Sequence, residues 1–117
     1  MPLDYPLIDL AHVSAENTGP GTELRIPISG NEGSTTSAFH LGIQQGETTV
    51  SHRNNHCEEI SVCLSGHGEC VIGGHSFEVH AGHCMRIPMG VTHQFHNTSK
   101  ELVQLVGFYI GADAPAA

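Results

Sequence analysis

Cations are what this chain has least of. Its 117 residues hold four Lys and Arg against twelve Asp and Glu, a formal charge of −8. Gripping a nucleic acid or an anionic membrane surface requires Lys and Arg to displace counterions from phosphates, so both partner classes are disfavoured. No apolar run approaches the ~18 residues of a spanning helix, and the acidic start Met1-Pro-Leu-Asp-Tyr5 does not read as a secretory leader. A cytoplasmic protein is the resulting expectation. The four cysteines, Cys57, Cys63, Cys70 and Cys84, show no C-x2-C spacing. That argues against a structural zinc knuckle and predicts free thiols. Helical periodicity is missing as well, and there is no internal repeat.

What the chain does carry is alternation. Glu23–Ile28 alternates apolar with polar residues and reads as an edge strand, where Pro27 costs no ladder bond. Gly30-Asn-Glu-Gly-Ser-Thr35 is a turn cluster. Ser37–Gln44 then places Phe39, Leu41 and Ile43 on one face and Ala38, His40, Gly42 and Gln44 on the other. Further strands are expected around 59–65, 69–72, 76–79, 84–87 and 92–96, with a hairpin turn at Gly73-Gly74. Leu102–Ile110 is a long apolar run suited to a strand buried on both faces. Short strands about ten residues apart, with Gly-rich turns, predict an all-β sandwich or barrel. The length fits one domain: an N-terminal arm and edge strand over 1–35, a barrel over 36–111, and a flexible Ala/Pro tail over 112–117.

Ten histidines in so weakly cationic a chain hint at metal or acid–base chemistry. Two of them fall in ordered motifs. Gly46 to Gly66 reads G-x5-H-x-N-x4-E-x6-G through His52, Asn54 and Glu59; Gly82 to Asn97 reads G-x5-P-x-G-x2-H-x3-N through Pro88, Gly90 and His93. Together these stretches resemble the paired motifs of the cupin superfamily over roughly residues 36–110, with Asn54 where that family usually has His. The resemblance implies a double-stranded β-helix, or jelly-roll barrel. It implies His52, Glu59 and His93 as ligands of one divalent transition metal, with Asn54 or His56 as a candidate fourth ligand. Two His and one carboxylate with open positions suit Fe(II), while Mn, Ni, Co and Zn accept the same donors. Cupins commonly pair through one sheet and the arm, so the resemblance also implies a homodimer.

Strand parity outlines the pocket. If Glu59 points inward, so do Ser61 and Cys63, leaving a roomy, polar space, while Ile60, Val62 and Leu64 form an opposite face that needs covering. His40 faces either cavity or solvent, Gln104 interrupts an apolar run as a cavity-facing amide, and Phe95 and Phe108 are candidate walls. His56, Glu58 and Tyr109 are the candidate acids or bases. Arg25 and Arg86 point away from their apolar neighbours, so a phosphorylated sugar would lack its bidentate clamp. Asn97 is expected to cap a turn, and His12, His67, His75, His80, His83 and His96 to lie at the surface. The functional expectation is a metal-dependent enzyme acting on a small molecule, preferentially an Fe(II) dioxygenase. The alternatives are a Lewis-acid isomerase, cyclase or lyase, and a non-catalytic small-molecule-binding cupin.

Overall fold

Alternation becomes two facing sheets. The structure, a computed structural model, describes residues 7–29 and 36–111. The turn cluster at 30–35, the start at 1–6 and the tail at 112–117 lie outside the described residues. After a 3-10 turn at Leu10–His12, the described residues form eight strands: β1 Thr22–Ile28, β2 Thr36–Ile43, β3 Glu58–Ser65, β4 His67–Ile72, β5 His75–His80, β6 Cys84–Ile87, β7 His93–Asn97 and β8 Val103–Ile110. They form a five-stranded sheet in the order β1-β2-β8-β3-β6 and a three-stranded sheet in the order β5-β4-β7. All pairings are antiparallel. This is the jelly-roll arrangement.

Each strand sits where its local chemistry allows. Pro27 lies in an edge strand, at a shift of register between Arg25 and Ile28, where its missing N–H disturbs least. Gly73 and Gly74 make the β4–β5 turn with φ of 56° and 81°, the two positive values that a twisted two-residue hairpin needs. Between the sheets lies one core. Leu24, Phe39, Ile43, Val103 and Leu105 of the large sheet meet Cys70, Val79 and Phe95 of the small one. Burying each Leu, Ile, Val or Phe contributes roughly 1.5–3 kcal/mol.

One strand departs from expectation. β8 is buried on one face only: Val103, Leu105 and Tyr109 are buried, whereas Phe108 and Ile110 are exposed, as is Leu102 just before the strand. Its apolar outer face belongs to a patch left open among the described residues. Ala38, Ile60, Val62, Val106 and Phe108 line a shallow groove there, with Leu64 exposed beyond them.

Segment 46–52 completes the frame of the site. It runs along the free side of β7 as an irregular extra strand, through Asn97 N–H to Glu47 O (3.0 Å), Thr49 N–H to Phe95 O (2.9 Å) and His52 N–H to His93 O (3.1 Å). Asn97 locks this end of the barrel. Fully buried, it donates from Nδ2 to the carbonyls of Ile43 (2.9 Å) and Glu101 (2.8 Å), and its Oδ1 accepts from the Ser99 N–H (2.8 Å) and hydroxyl (2.7 Å). Every polar atom of its amide is therefore used in holding a turn.

Candidate metal centre

The two sequence motifs meet through their histidines. His52 and His93 exchange both backbone hydrogen bonds, at 3.1 and 2.8 Å, which sets their side chains directly abreast. The imidazole centroids lie 4.2 Å apart. Each ring is anchored identically: His52 Nδ1 lies 3.0 Å from Val50 O, and His93 Nδ1 lies 3.1 Å from Val91 O. A carbonyl can only accept, so both Nδ1 atoms carry a proton, and in the neutral ring it is Nε2 that keeps the lone pair. Fixing the far ring nitrogen on a carbonyl is how protein structures orient a ligating imidazole.

Glu59 approaches from the opposite sheet. It is 6% exposed, and its Oε1 lies 3.5 Å from Nε2 of His93, itself 6% exposed. Burial works against a charged His93 ring, but the Glu59 carboxylate and the Val91 carbonyl outweigh it and hold the pKa above its usual value. His93 Nε2 is nonetheless buried with no hydrogen-bond partner, since 3.5 Å is too long.

All three residues line one cavity of about 40 Å³. A water needs roughly 10–15 Å³ on this measure, so the space admits only a few water-sized groups. Leu24, Phe39, Leu41, Met85, Ile87, Phe95, Leu105 and Tyr109 supply most of the remaining wall, joined by Thr18, Thr49 and Cys70. The pocket is thus smaller and more apolar than Ser61 and Cys63 led one to expect. Both are buried beneath the sheet, further along β3 than Glu59, and neither lines the cavity.

Several expected site residues lie elsewhere. His40 and Gln104 occupy the outer face of the large sheet, where His40 Nε2 bonds Gln104 Oε1 at 3.0 Å and Gln104 Nε2 donates to Ser65 Oγ at 3.1 Å. Phe108, 50% exposed, lines the outer groove instead of the cavity. Glu58 faces outward, one strand position from Glu59, and pairs with Arg86 at 2.7 Å. His56 is exposed and Asn54 half-buried; neither lines the cavity. His52 and Asn54 would share a face only in an extended strand, but residues 53–54 lie outside any strand, a bend follows at 55–56, and the Asn54 carbonyl accepts from Gly90 N–H at 2.7 Å. Of the walls and acid–base candidates, Phe95 and Tyr109 reach the cavity. The Tyr109 ring stacks on Phe39, with centroids 4.7 Å apart, and burial followed by the nearby Glu59 charge pushes its phenol well above the usual range.

The sequence reading missed Cys70, Thr49 and Thr18, while Met85 and Ile87 line the cavity on the face opposite Arg86, as their alternation implies. Cys70 was accessible from strand parity, since it shares a face with Gly68 and Ile72. Thr18 carried no signal, since it comes from a segment without periodicity. Burial and then Glu59 push the Cys70 thiol up to about 12, so it stays protonated in the cavity.

Comparison with known proteins gives the family. A model of the family described as "Cupin domain" matches residues 39–109. The chain is a cupin. An Escherichia coli protein, HTH-type transcriptional regulator PuuR, is 28% identical over 86 residues, covering 74% of this chain and 46% of the relative. This cupin therefore spans about half the length of the curated relatives it matches. Among solved structures, a predicted oxalate decarboxylase from Thermotoga maritima superimposes with a TM-score of 0.77 at 17% identity, over 90% of this chain and 98% of the other. The polyketide cyclase RemF from Streptomyces resistomycificus gives 0.76 at 19% identity, over 96% and 82%. Similarity at this level establishes the fold and leaves activity to be argued from the site.

The donors fit a divalent ion in chemistry: two oriented imidazole nitrogens, one of them orphaned and buried, and one carboxylate. In spacing they are looser. Among the described residues no group of three or more His, Cys, Asp or Glu is drawn together as a finished cage. The cavity holds a His93–Glu59 pair with His52 alongside.

Proposed function

We propose that this cupin is a metal-dependent enzyme for a small molecule, with His52, Glu59 and His93 as the protein ligands of one divalent transition metal. One observation carries the reading. Two abreast imidazoles, both pinned at Nδ1, leave Nε2 as the nitrogen that can ligate in a cavity that also holds a buried carboxylate. An ion held there supplies Lewis-acid polarisation of a substrate oxygen or, as Fe(II), a centre for dioxygen chemistry. An Fe(II) dioxygenase is the favoured form, because neither Asn54 nor His56 lines the cavity to complete a fourth protein contact. Mn, Ni, Co and Zn suit the same donors, and with a redox-inactive ion the activity would be an isomerase, cyclase or lyase.

The remaining residues define what they can act upon. No Lys or Arg is among the cavity-lining residues, so an anionic substrate draws its counter-charge from the ion alone. The apolar walls exclude water from the polar end. Tyr109, which lines the cavity and is held protonated by burial and by Glu59, is in this reading the hydrogen-bond donor to a substrate oxygen. Outside the cavity, the open apolar face around Ile60, Val62 and Phe108 is assigned to pairing with a second copy of the chain.

Similarity to a transcriptional regulator favours a second reading, a cupin that binds its small molecule without turnover. Oxygen consumption by Fe(II)-loaded protein with a panel of diketones, catechols and thiols divides these. Uptake with one class identifies the oxygenase. Saturable binding without uptake or product formation supports the sensor. Absence of affinity for Fe, Mn, Ni, Co and Zn removes both metal-dependent enzyme readings.

A further inference from the structure

The two sheets are stitched together beside the cavity by residues 16–19. Glu16 and Leu24 exchange both backbone hydrogen bonds, at 2.6 and 2.9 Å, which attaches this arm to the free edge of β1. Two residues on, Thr18 O accepts from Val50 N–H at 2.9 Å, which attaches it to segment 46–52 along the small sheet. The arm is tightly turned at this point. Asn17 Oδ1 accepts from Gly19 N–H at 2.8 Å, and the Thr22 hydroxyl donates to Gly19 O at 2.7 Å. Gly19 has φ of +134°, and a Cβ there would stand 3.1 Å from Thr48 O. The close approach and the backbone angle both require glycine. The Thr18 side chain, meanwhile, is part of the cavity wall.

Val50 links this arm to the site. Its N–H is held by Thr18, and its carbonyl holds Nδ1 of His52 at 3.0 Å. His93 has the equivalent anchor in Val91, but Val91 is secured by its own turn, through N–H to Pro88 O at 3.2 Å. Thr49 bonds to β7, so Val50, one position on, faces the other way and finds its partner in the arm; the alternation shifts before His52, which bonds to β7 again. His52 is also the exposed member of the trio. Of the two imidazoles, only the orientation of His52 depends on a segment outside the strands that carry the motifs.

We propose that Thr18 and Gly19 are positioning residues for the metal centre: through Val50, the arm fixes the tautomer and direction of the His52 ring. The role of His52 as a ligand rests on the metal reading above; the coupling of arm to ring does not.

The test uses the full chain with Gly19→Val, which strains the backbone and lifts the arm from Thr48. Gly82→Val is the control, carrying the same backbone strain at φ +93° in open space. In Gly19→Val, Val50 amide exchange is expected to quicken about tenfold, and the dissociation constant for Co(II), read by d–d absorption, to rise about five- to tenfold, as for loss of one supporting hydrogen bond. Gly82→Val should change neither. Faster Val50 exchange with unchanged Co(II) affinity would overturn the proposal. Should Gly19→Val not fold, wild-type protein gives the reciprocal readout, because Co(II) must then slow Val50 exchange by coupling in the other direction. No slowing overturns the proposal equally. Should wild-type protein bind no Co(II), the metal reading fails by itself. The arm is then judged by ring ¹⁵N shifts: Gly19→Val must lose the Nδ1-protonated preference of His52, and its retention sinks the coupling.

Discussion

Glu58 and Glu59 are neighbours of the same chemistry, separated in role by the half-turn that a strand imposes between successive side chains. Glu58 is drawn outward to Arg86, in an exposed pair worth about 0–1 kcal/mol. Glu59 is buried against His93. Glu59→Gln should therefore lower the affinity for Fe(II) or Co(II) at least about tenfold, since an amide oxygen is a weaker donor than a carboxylate. Glu58→Gln should leave it within about twofold; isothermal titration of both variants checks this. The thiols separate in the same residue-by-residue way. Cys57, Cys63 and Cys70 are buried with their pKa values raised, while Cys84 is exposed. Iodoacetamide is expected to label Cys84 alone in native protein and all four after denaturation, as read by intact mass; rapid native labelling of Cys70 would mean that the cavity is open.

Strands were the legible elements. Alternation around Phe39, Glu59 and Met85 marks a face that must be buried, and each strand lies within a residue or two of its expected bounds. Glu59 was readable as an inward residue from its six-residue spacing to Gly66 alone; its parity against His52 requires a turn between them, which the bend at 55–56 supplies. Elements without periodicity stayed hidden. The arm at 16–19 touches the barrel through isolated pairings that leave no pattern in the sequence. Asn54 was not legible because residues 53–54 lie outside any strand, where the two-residue rule has no hold. His40 was ambiguous in isolation; its bond to Gln104 across two strands decides the outer face, and no single-strand pattern could supply that. Asn97 belongs at this scale too, as one amide that ties β7 to the end of β2 and the turn before β8. Asn97→Ala should cost roughly 2–4 kcal/mol, because it strips partners from buried backbone groups. Chemical denaturation measures this, and a loss below about 0.5 kcal/mol would show that the clamp is dispensable.

For the whole molecule, two surfaces with different chemistry ask for different occupants. The inner cavity is small, apolar at its walls and acidic at one end. Among the described residues the outer face of the large sheet carries an exposed apolar patch, with Phe108 50% and Leu64 55% exposed. If that face pairs two copies, Phe108→Lys should convert a dimer into a monomer on sedimentation while leaving metal affinity intact, since the side chain lies outside the cavity. A wild-type monomer at micromolar concentration would remove that assignment. The most direct measurement is a crystal structure of untagged protein grown with Co(II), with the ion located by its anomalous scattering. The expected result is one ion between the sheets, bonded by Nε2 of His52 and His93 and by the Glu59 carboxylate. An ion found only on the surface imidazoles His67, His80 and His83, whose neighbouring ring centroids lie 5.5 and 5.6 Å apart, or no ion at all, would contradict the account.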